Sequence, residues 1–539
     1  MIKTKKKHDL SAVFLIALPL LVFWGYAAYV TFDYPYQRAD PEYSYFLTSL
    51  APFRGDGYRY VDHPGTPLEV IGSVLLGITY PFVGSGGLSG FVQYHLSDPR
   101  LFLLLAHGFM LAFSITCAAY FYRTALTGQT RDDILFAASL ALMFYAIHPL
   151  SFTILFVWSH HSYNFPFGAG LLLLLYGVMQ NKGRISRKRL LWLGFGAGIL
   201  TAVVIYFGTW VVGMAVSIGV FYWAQGLPFK KIAADMALFW TACLSGFIFA
   251  LLPAMHRLDR FTSWIISIIV HQGKHGHGET GILSIPGLLA NFSTMLQANP
   301  ILFLSVALEF ILLLYALLRE RGIFSRKPGL AALGIGLSLQ ILASTFIIAK
   351  HYGISYSLSI AAAVPVLALT IKGLYEETSF PGKTILKRLF IFLIITGLVV
   401  QMSISMRIQK ERIENIQTLQ DRISHMVNER ALATGRKPEQ IVLLWQQGIL
   451  TPCNTLGRTN ENYGNKKLDT CENQYFIRNA PIANPISLVG RSPTDINKLE
   501  WDFIVVWAYA DLKNFTPFLP ATTGSETVDG VTIISNGNQ

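Results

Sequence analysis

Two carboxylates separated by a proline, in Arg38-Ala39-Asp40-Pro41-Glu42-Tyr43, lie a few residues beyond the first long apolar run. Proline keeps such a segment out of a helix interior, so both carboxylates can serve one cleft. A carboxylate there can take a proton from a hydroxyl, or hold a divalent metal that orients a phosphate. Asp40 is the first candidate and Glu42 the second. The same pattern also caps a helix that begins near Pro41, since Asp before Pro is good capping chemistry. Further on, Arg59 and His63 belong to a run ending Tyr60-Val61-Asp62-His63-Pro64-Gly65-Thr66-Pro67. Lys350-His351-Tyr352-Gly353 falls between two late apolar runs. There Lys as a point charge or His as a donor can neutralise a phosphate; a lysine snorkelling to lipid headgroups is the plain alternative. Lys274, His275, His277 and Glu279 share a glycine-rich run. Such a loop can order over a bound substrate. Two histidines and a glutamate also suit a divalent metal, although one short run rarely completes a site. None of these runs demands a cofactor, and a divalent metal is the one addition they admit.

The elements that must position these residues are membrane spans. The 539 residues are 52% hydrophobic and 14% charged, with mean hydropathy +0.44, against about 25% charged in soluble domains. The net charge of +12 does not signal nucleic acid. The basic residues cluster in short runs between apolar segments, a pattern that orients membrane proteins. Lys3, Lys5, Lys6 and Lys7 precede an uncharged run at 11–32. That run is nearer the ~20 residues of a span than the roughly 7–15 of a signal-peptide core, so it reads as a retained anchor entering from the cytoplasm.

Further apolar segments occur near 100–122, 134–150, 163–180, 190–206, 208–224, 233–254, 298–317, 329–348, 355–371 and 389–405. With the anchor this makes about eleven crossings. The expected inner loops are basic: Arg123 and Arg131; Lys182 to Arg189; Lys230 and Lys231; Arg319 to Lys327; Lys372 to Arg388. An odd number of crossings then puts the C-terminus outside. Three outer segments exceed simple connections. The first, 33–99, holds the acidic motif and an apolar stretch at 67–82 that suits a helix along the interface. The second, 255–297, holds the glycine-rich run together with Arg257 and Arg260. The third is the tail, 406–539. It opens at helical spacing and continues with strand-like runs at 440–445, 503–507 and 531–534, as in a small α/β domain. Cys453 and Cys471 in this tail are spaced like a small loop closed by a disulfide, which an outer location would permit; two free thiols are the alternative. Cys117 and Cys243 fall in apolar runs and read as packing residues. Glu309 and His107 lie mid-span, and His160-His161 at an outer boundary. An intramembrane carboxylate is a functional suspect by default.

An acidic motif after the first span, followed by His63-Pro64-Gly65-Thr66-Pro67 opening a surface helix, resembles the GT-C superfamily of integral membrane glycosyltransferases. That superfamily includes protein O-mannosyltransferases and aminoarabinose transferases. The likeness covers roughly residues 1–400 in layout and two short motifs in detail. Pro41 stands between the acids where relatives commonly have adjacent Asp-Glu, and His-Pro-Gly replaces a His-Pro-Pro or Lys-Pro-Pro run. The resemblance implies a GT-C-like membrane domain at 1–405 and a polyprenyl-phosphate-linked sugar donor. It further implies a lipid, glycan or protein acceptor, Asp40 or Glu42 as base, and a late outer basic residue, here Lys350, on the carrier phosphate. The expected location is a bacterial inner membrane, with the N-terminus cytoplasmic and the tail periplasmic. Rival readings are a lipid-linked glycan flippase, which needs polar midplane residues and a repeat, and an O-antigen ligase or polymerase, whose large outer loop is expected late in the chain.

Overall fold

The computed structural model describes residues 2–31, 44–55, 57–58, 66–97, 99–128, 130–180, 184–270, 284–319, 322–351, 357–375, 383–433, 442–445, 485–487, 503–507, 524–528 and 531–535. The helices in the first half of the chain are α1 (Ile2–Val30), α2 (Ser44–Ser49), α3 (Thr66–Val83), α4 (Gly87–Ser97) and α5 (Arg100–Ala125). They continue as α6 (Arg131–Ala146), α7 (His160–Met179), α8 (Arg187–Val203), α9 (Gly208–Ala224) and α10 (Phe229–Leu251). Then come α11 (Leu258–Val270), α12 (Ile285–Ala298), α13 (Pro300–Arg319), α14 (Ile323–Arg326), α15 (Pro328–His351), α16 (Leu358–Tyr375) and α17 (Lys383–Ala433).

Ten helical segments among the described residues are long and apolar enough to cross a membrane. Their membership differs from the eleven expected runs. The stretch read as interfacial, 67–82, is α3, and its 18 residues meet the length and hydropathy of a span. The runs at 134–150 and 190–206 form α6 and α8, of 16 and 17 residues. At 1.5 Å per residue these reach about 24–26 Å, short of a ~30 Å hydrocarbon core. The second long outer segment is not mere connection, since α11, α12 and a 3₁₀ turn at Leu252–Arg257 occupy much of it. At that turn the helix kinks at Ala254, whose φ of −114° and ψ of 17° leave the helical range.

The described chain divides into two compact units. One comprises residues 1–27, 60–71 and 106–407; the other comprises 28–59, 72–105 and 408–539. In the first unit, glycines set the tightest helix pairs. A Cβ on Gly198 of α8 would lie 1.9 Å from the Cys243 carbonyl oxygen of α10, and one on Gly246 of α10 would lie 2.1 Å from the Phe195 oxygen. Gly213 of α9 and Gly336 of α15 meet in the same way, 2.9 and 2.4 Å from each other's carbonyl oxygens. Small residues permit this approach, and dispersion and backbone proximity then hold helices together where lipid supplies no hydrophobic drive. The connections at one end of the unit are basic, and three of their cations pair with aspartates. Arg184 forks onto Asp235 at 2.7 and 2.5 Å, Arg388 meets Asp132 at 3.1 Å, and Lys387 meets Asp133. Asp133 also closes a capping box with Thr130 at the start of α6. Lys350, at the last turn of α15, marks the opposite end.

In the second unit, Phe91 of α4 packs between Phe53 and Tyr80 at centroid distances of 4.9 and 5.2 Å. Tyr58 donates to Ser73 at 2.9 Å, and Ser73 to the Ser49 carbonyl at 2.7 Å, tying α3 to α2. Five strands, β1 (Val442–Trp445), β2 (Pro485–Ser487), β3 (Phe503–Trp507), β4 (Gly524–Val528) and β5 (Val531–Ser535), form a sheet of order β2-β1-β3-β5-β4. The three strand-like runs are β1, β3 and β5. β1 runs parallel to β2 and to β3, and β5 is antiparallel to β3 and β4. Pro485 opens the edge strand β2, a place where its missing N–H costs no ladder bond.

Candidate functional site

Lys350 is the one expected site residue whose side chain is described, and the geometry around it is specific. α15 is apolar along its length and ends on Lys350-His351, just ahead of Tyr352-Gly353. The half-buried ammonium donates to the Ile269 carbonyl at 3.0 Å, in the last turn of α11. Helix C-termini leave carbonyls without intrahelical donors and carry partial negative charge, so a cation there satisfies both needs. On the neighbouring side, Asn291 of α12 donates to the Ala349 carbonyl at 2.8 Å. The two helices that bracket residues 271–283 are thus both tied to the final turn of α15. Lys274, His275 and His277 lie in that bracketed stretch, outside the described residues, as do Asp40, Glu42, Arg59, His63, Tyr352, Cys453 and Cys471. His351 ends α15, and its side chain is likewise not described.

One N–H of Lys350 is committed to α11. An ammonium has three donors, so the same side chain can cap the helix and still meet an anion. The bond to Ile269 is a local structural role, and it does not use up the group.

Several polar side chains that the sequence reading passed over are buried. Glu69 stands in the first turn of α3, two residues beyond Pro67, and is fully buried. A carboxylate suits a helix N-terminus, and only Leu68 separates it from the His-Pro-Gly-Thr-Pro run. The only signal for it was an acid alone in an apolar stretch. His148, in the connection between α6 and α7, is fully buried and lies 2.6 Å from the Ser357 hydroxyl, just before α16. In the second unit, buried His95 of α4 meets Thr79 of α3 at 2.8 Å. Thr79 gives its proton to the Leu76 carbonyl, so the imidazole is the donor in that pair. Glu309 is buried on α13. His107 packs against Phe156 with centroids 4.2 Å apart, and His160 meets His161 at 3.0 Å. Cys117 and Cys243 are buried free thiols, as expected of packing residues. Among the described residues no three His, Cys, Asp or Glu side chains gather as metal ligands.

No protein-family model matches the chain, and no curated protein matches it. Among solved structures the chain is similar to ArnT from Cupriavidus metallidurans bound to undecaprenyl phosphate, with 12% identity, 98% of each chain covered and a TM-score of 0.54. The apo state of the same protein also matches, at 12% identity over 92% of this chain and 93% of that one, with a TM-score of 0.47. So does the apo form of an oligosaccharyltransferase from Archaeoglobus fulgidus, at 11% identity over 97% of this chain and 75% of that one, with a TM-score of 0.44. At this level of identity the likeness to ArnT is one of fold. The resemblance stated from the sequence is borne out at the level of fold: the chain shares the fold of ArnT.

Proposed function

We propose that the chain is an inverting glycosyltransferase that takes a sugar from a polyprenyl-phosphate carrier at the outer face of a bacterial inner membrane. One observation carries the reading: the fold extends over 98% of a protein whose structure holds undecaprenyl phosphate. The carrier's phosphate meets Lys350, whose spare donors face no demand from α11, and Lys274, His275 and His277 are the further residues assigned to substrate contact. Arg59 and His63 approach the same donor from the first loop. The acceptor hydroxyl loses its proton to Asp40, with Glu42 beside it. The acceptor oxygen forms a bond to the anomeric carbon from the face opposite the phosphate. The bond from that carbon to the phosphate oxygen breaks, and the phosphate leaves with the electron pair. It leaves already charged, so stabilising its charge rather than protonating it supplies much of the rate.

In this reading residues 1–405 are catalytic. Residues 406–539 form a periplasmic domain, closed by a Cys453–Cys471 bridge, that positions a lipid, glycan or protein acceptor. The test is transfer from a panel of synthetic polyprenyl-phosphate sugars to a panel of lipid, glycan and peptide acceptors by the purified protein in lipid vesicles, read as polyprenyl phosphate released and glycosylated acceptor formed. Release with at least one sugar is expected, with inversion at the anomeric carbon. A protein that binds these donors, moves them across the vesicle and leaves them intact would instead be a carrier.

A further inference from the structure

Asp235 is the one acid in the sequence between residues 134 and 258, and Arg184 takes both of its oxygens. The cations nearby are left without a counter-charge. α8 opens on Arg187-Lys188-Arg189 and α10 on Phe229-Lys230-Lys231, with no acid in either first turn. All five cationic residues are exposed, and among the described residues none of them is in an ion pair. The two helix starts lie together. A Cβ on Gly194 would strike the Phe239 oxygen, and one on Gly198, a turn later, would strike the Cys243 oxygen, also a turn later, so α8 and α10 run parallel. Arg184, just before α8, pairs with Asp235 in the second turn of α10.

A helix N-terminus carries partial positive charge and unsatisfied amides, so acids suit it and cations do not. Pro228, the N-cap of α10, supplies no side-chain acceptor. Five like charges at two such ends are unfavourable for the chain alone, and an anion from outside it relieves them. Orienting a span calls for basic residues in a connection, but not for their gathering on adjoining helix starts. The surroundings set the kind of anion. Trp192 of α8, Trp223 in the last turn of α9 and Phe229 of α10 are at the same end, and they are 65%, 70% and 83% exposed. Tryptophan at the end of a span takes the level of the lipid headgroups. A soluble anion gains nothing from these rings, whereas a phospholipid meets the cations with its headgroup and the rings with its glycerol and upper acyl chains. Basic pockets between spans bind anionic headgroups in this way. We propose that the adjoining starts of α8 and α10 form a binding site for an anionic glycerophospholipid, whose phosphate is held by the cations of the two first turns. The site lies at the end of the unit opposite Lys350 and does not depend on the carrier reading.

The experiment titrates pyrene-tailed phosphatidylglycerol into the full chain in phosphatidylcholine nanodiscs at low salt, with pyrene-tailed phosphatidylcholine as reference. Binding is read as energy transfer from tryptophan. Wild type is expected to bind the glycerol lipid saturably and the choline lipid not. Each cation beside an anionic headgroup is worth about fivefold, so Lys230→Gln with Lys231→Gln should raise the Kd roughly 25-fold. Arg187→Lys with Lys188→Arg and Arg189→Lys keeps the charge and should stay near wild type. Arg131→Gln, an exposed cation that opens α6 at the same end, should also leave the Kd unchanged. Equal transfer from both lipids in wild type overturns the proposal, as does an unchanged Kd in the Lys230 and Lys231 double variant. A loss as large in Arg131→Gln would mean diffuse attraction rather than a site. A loss as large in the charge-keeping variant would mean disturbed packing, and either result overturns it. Displacement of the lipid by millimolar glycerol phosphate would make this a site for soluble anions and refute the lipid assignment.

Discussion

Replacing Lys350 with methionine keeps the aliphatic stem and removes the ammonium. Two interactions go with it. The bond to the Ile269 carbonyl closes the end of α11, and a cation at a helix C-terminus contributes about 0.3–1 kcal/mol. A charge-assisted bond to a carrier phosphate contributes about 1.5–3 kcal/mol. The first is a stability term and the second a binding term, so the two separate by assay. At about 1.4 kcal/mol per factor of ten, the Kd for undecaprenyl phosphate should rise roughly 10- to 100-fold. The melting temperature should fall by no more than about 1 °C. Lys350→Arg keeps the charge and should lose much less affinity. The measurement is titration of labelled undecaprenyl phosphate into protein in nanodiscs at two salt concentrations, with thermal unfolding run in parallel. A Kd within about twofold of wild type, alongside the expected loss of stability, would leave Lys350 as a helix cap only and refute its part in the site.

The tight helix pairs give a stability test. Gly198→Ala forces a methyl against the Cys243 carbonyl at 1.9 Å and should cost about 1–3 kcal/mol by overpacking. Gly219→Ala, with nothing within 4 Å of the added carbon, should be neutral; detergent-stable thermal unfolding compares them. At the basic end, the bond from Lys387, with that from Thr130, lowers the Asp133 carboxyl below its ordinary value. A carboxylate with a depressed folded pKa stabilises above the unfolded value of about 3.9 and loses that contribution as pH falls through the folded one. The melting difference between wild type and Asp133→Asn should therefore be present at neutral pH, about 0.2–1 kcal/mol for this partly exposed pair. It should shrink once the pH falls below ~4 and be gone only below the depressed folded value. A difference that grows on acidification would contradict this.

The spans were legible because hydropathy is local: a run of about twenty apolar residues declares itself whatever it packs against. The same property hid the distinction at α3, where 67–82 satisfies both a surface helix and a span. At α6 and α8 the helices, of 16 and 17 residues, are near the lower limit of a span, and hydropathy alone does not decide them. α17 continues without break from its span through the tail's opening residues, where the spacing of Ile408, Ile413 and Ile416 already repeats as in a helix. β2 escaped notice because three residues, Pro485–Ser487, carry too little pattern to stand apart from a loop. The site divides in the same way. Lys350 was visible as a cation between two apolar runs. Its tie to Ile269, and the pairing of His148 with Ser357, depend on which connections meet at one end of a bundle, and residue spacing holds no trace of that.

The account depends most on a carboxylate beyond the first span acting as base toward a lipid-carried sugar. The most direct measurement is single-turnover sugar transfer by Asp40→Asn beside wild type, with carrier affinity determined on the same preparations. The expected result is a rate at least about 100-fold lower, with the Kd for undecaprenyl phosphate unchanged. Undiminished turnover in Asp40→Asn, and again in the double variant with Glu42→Gln, would contradict the central claim.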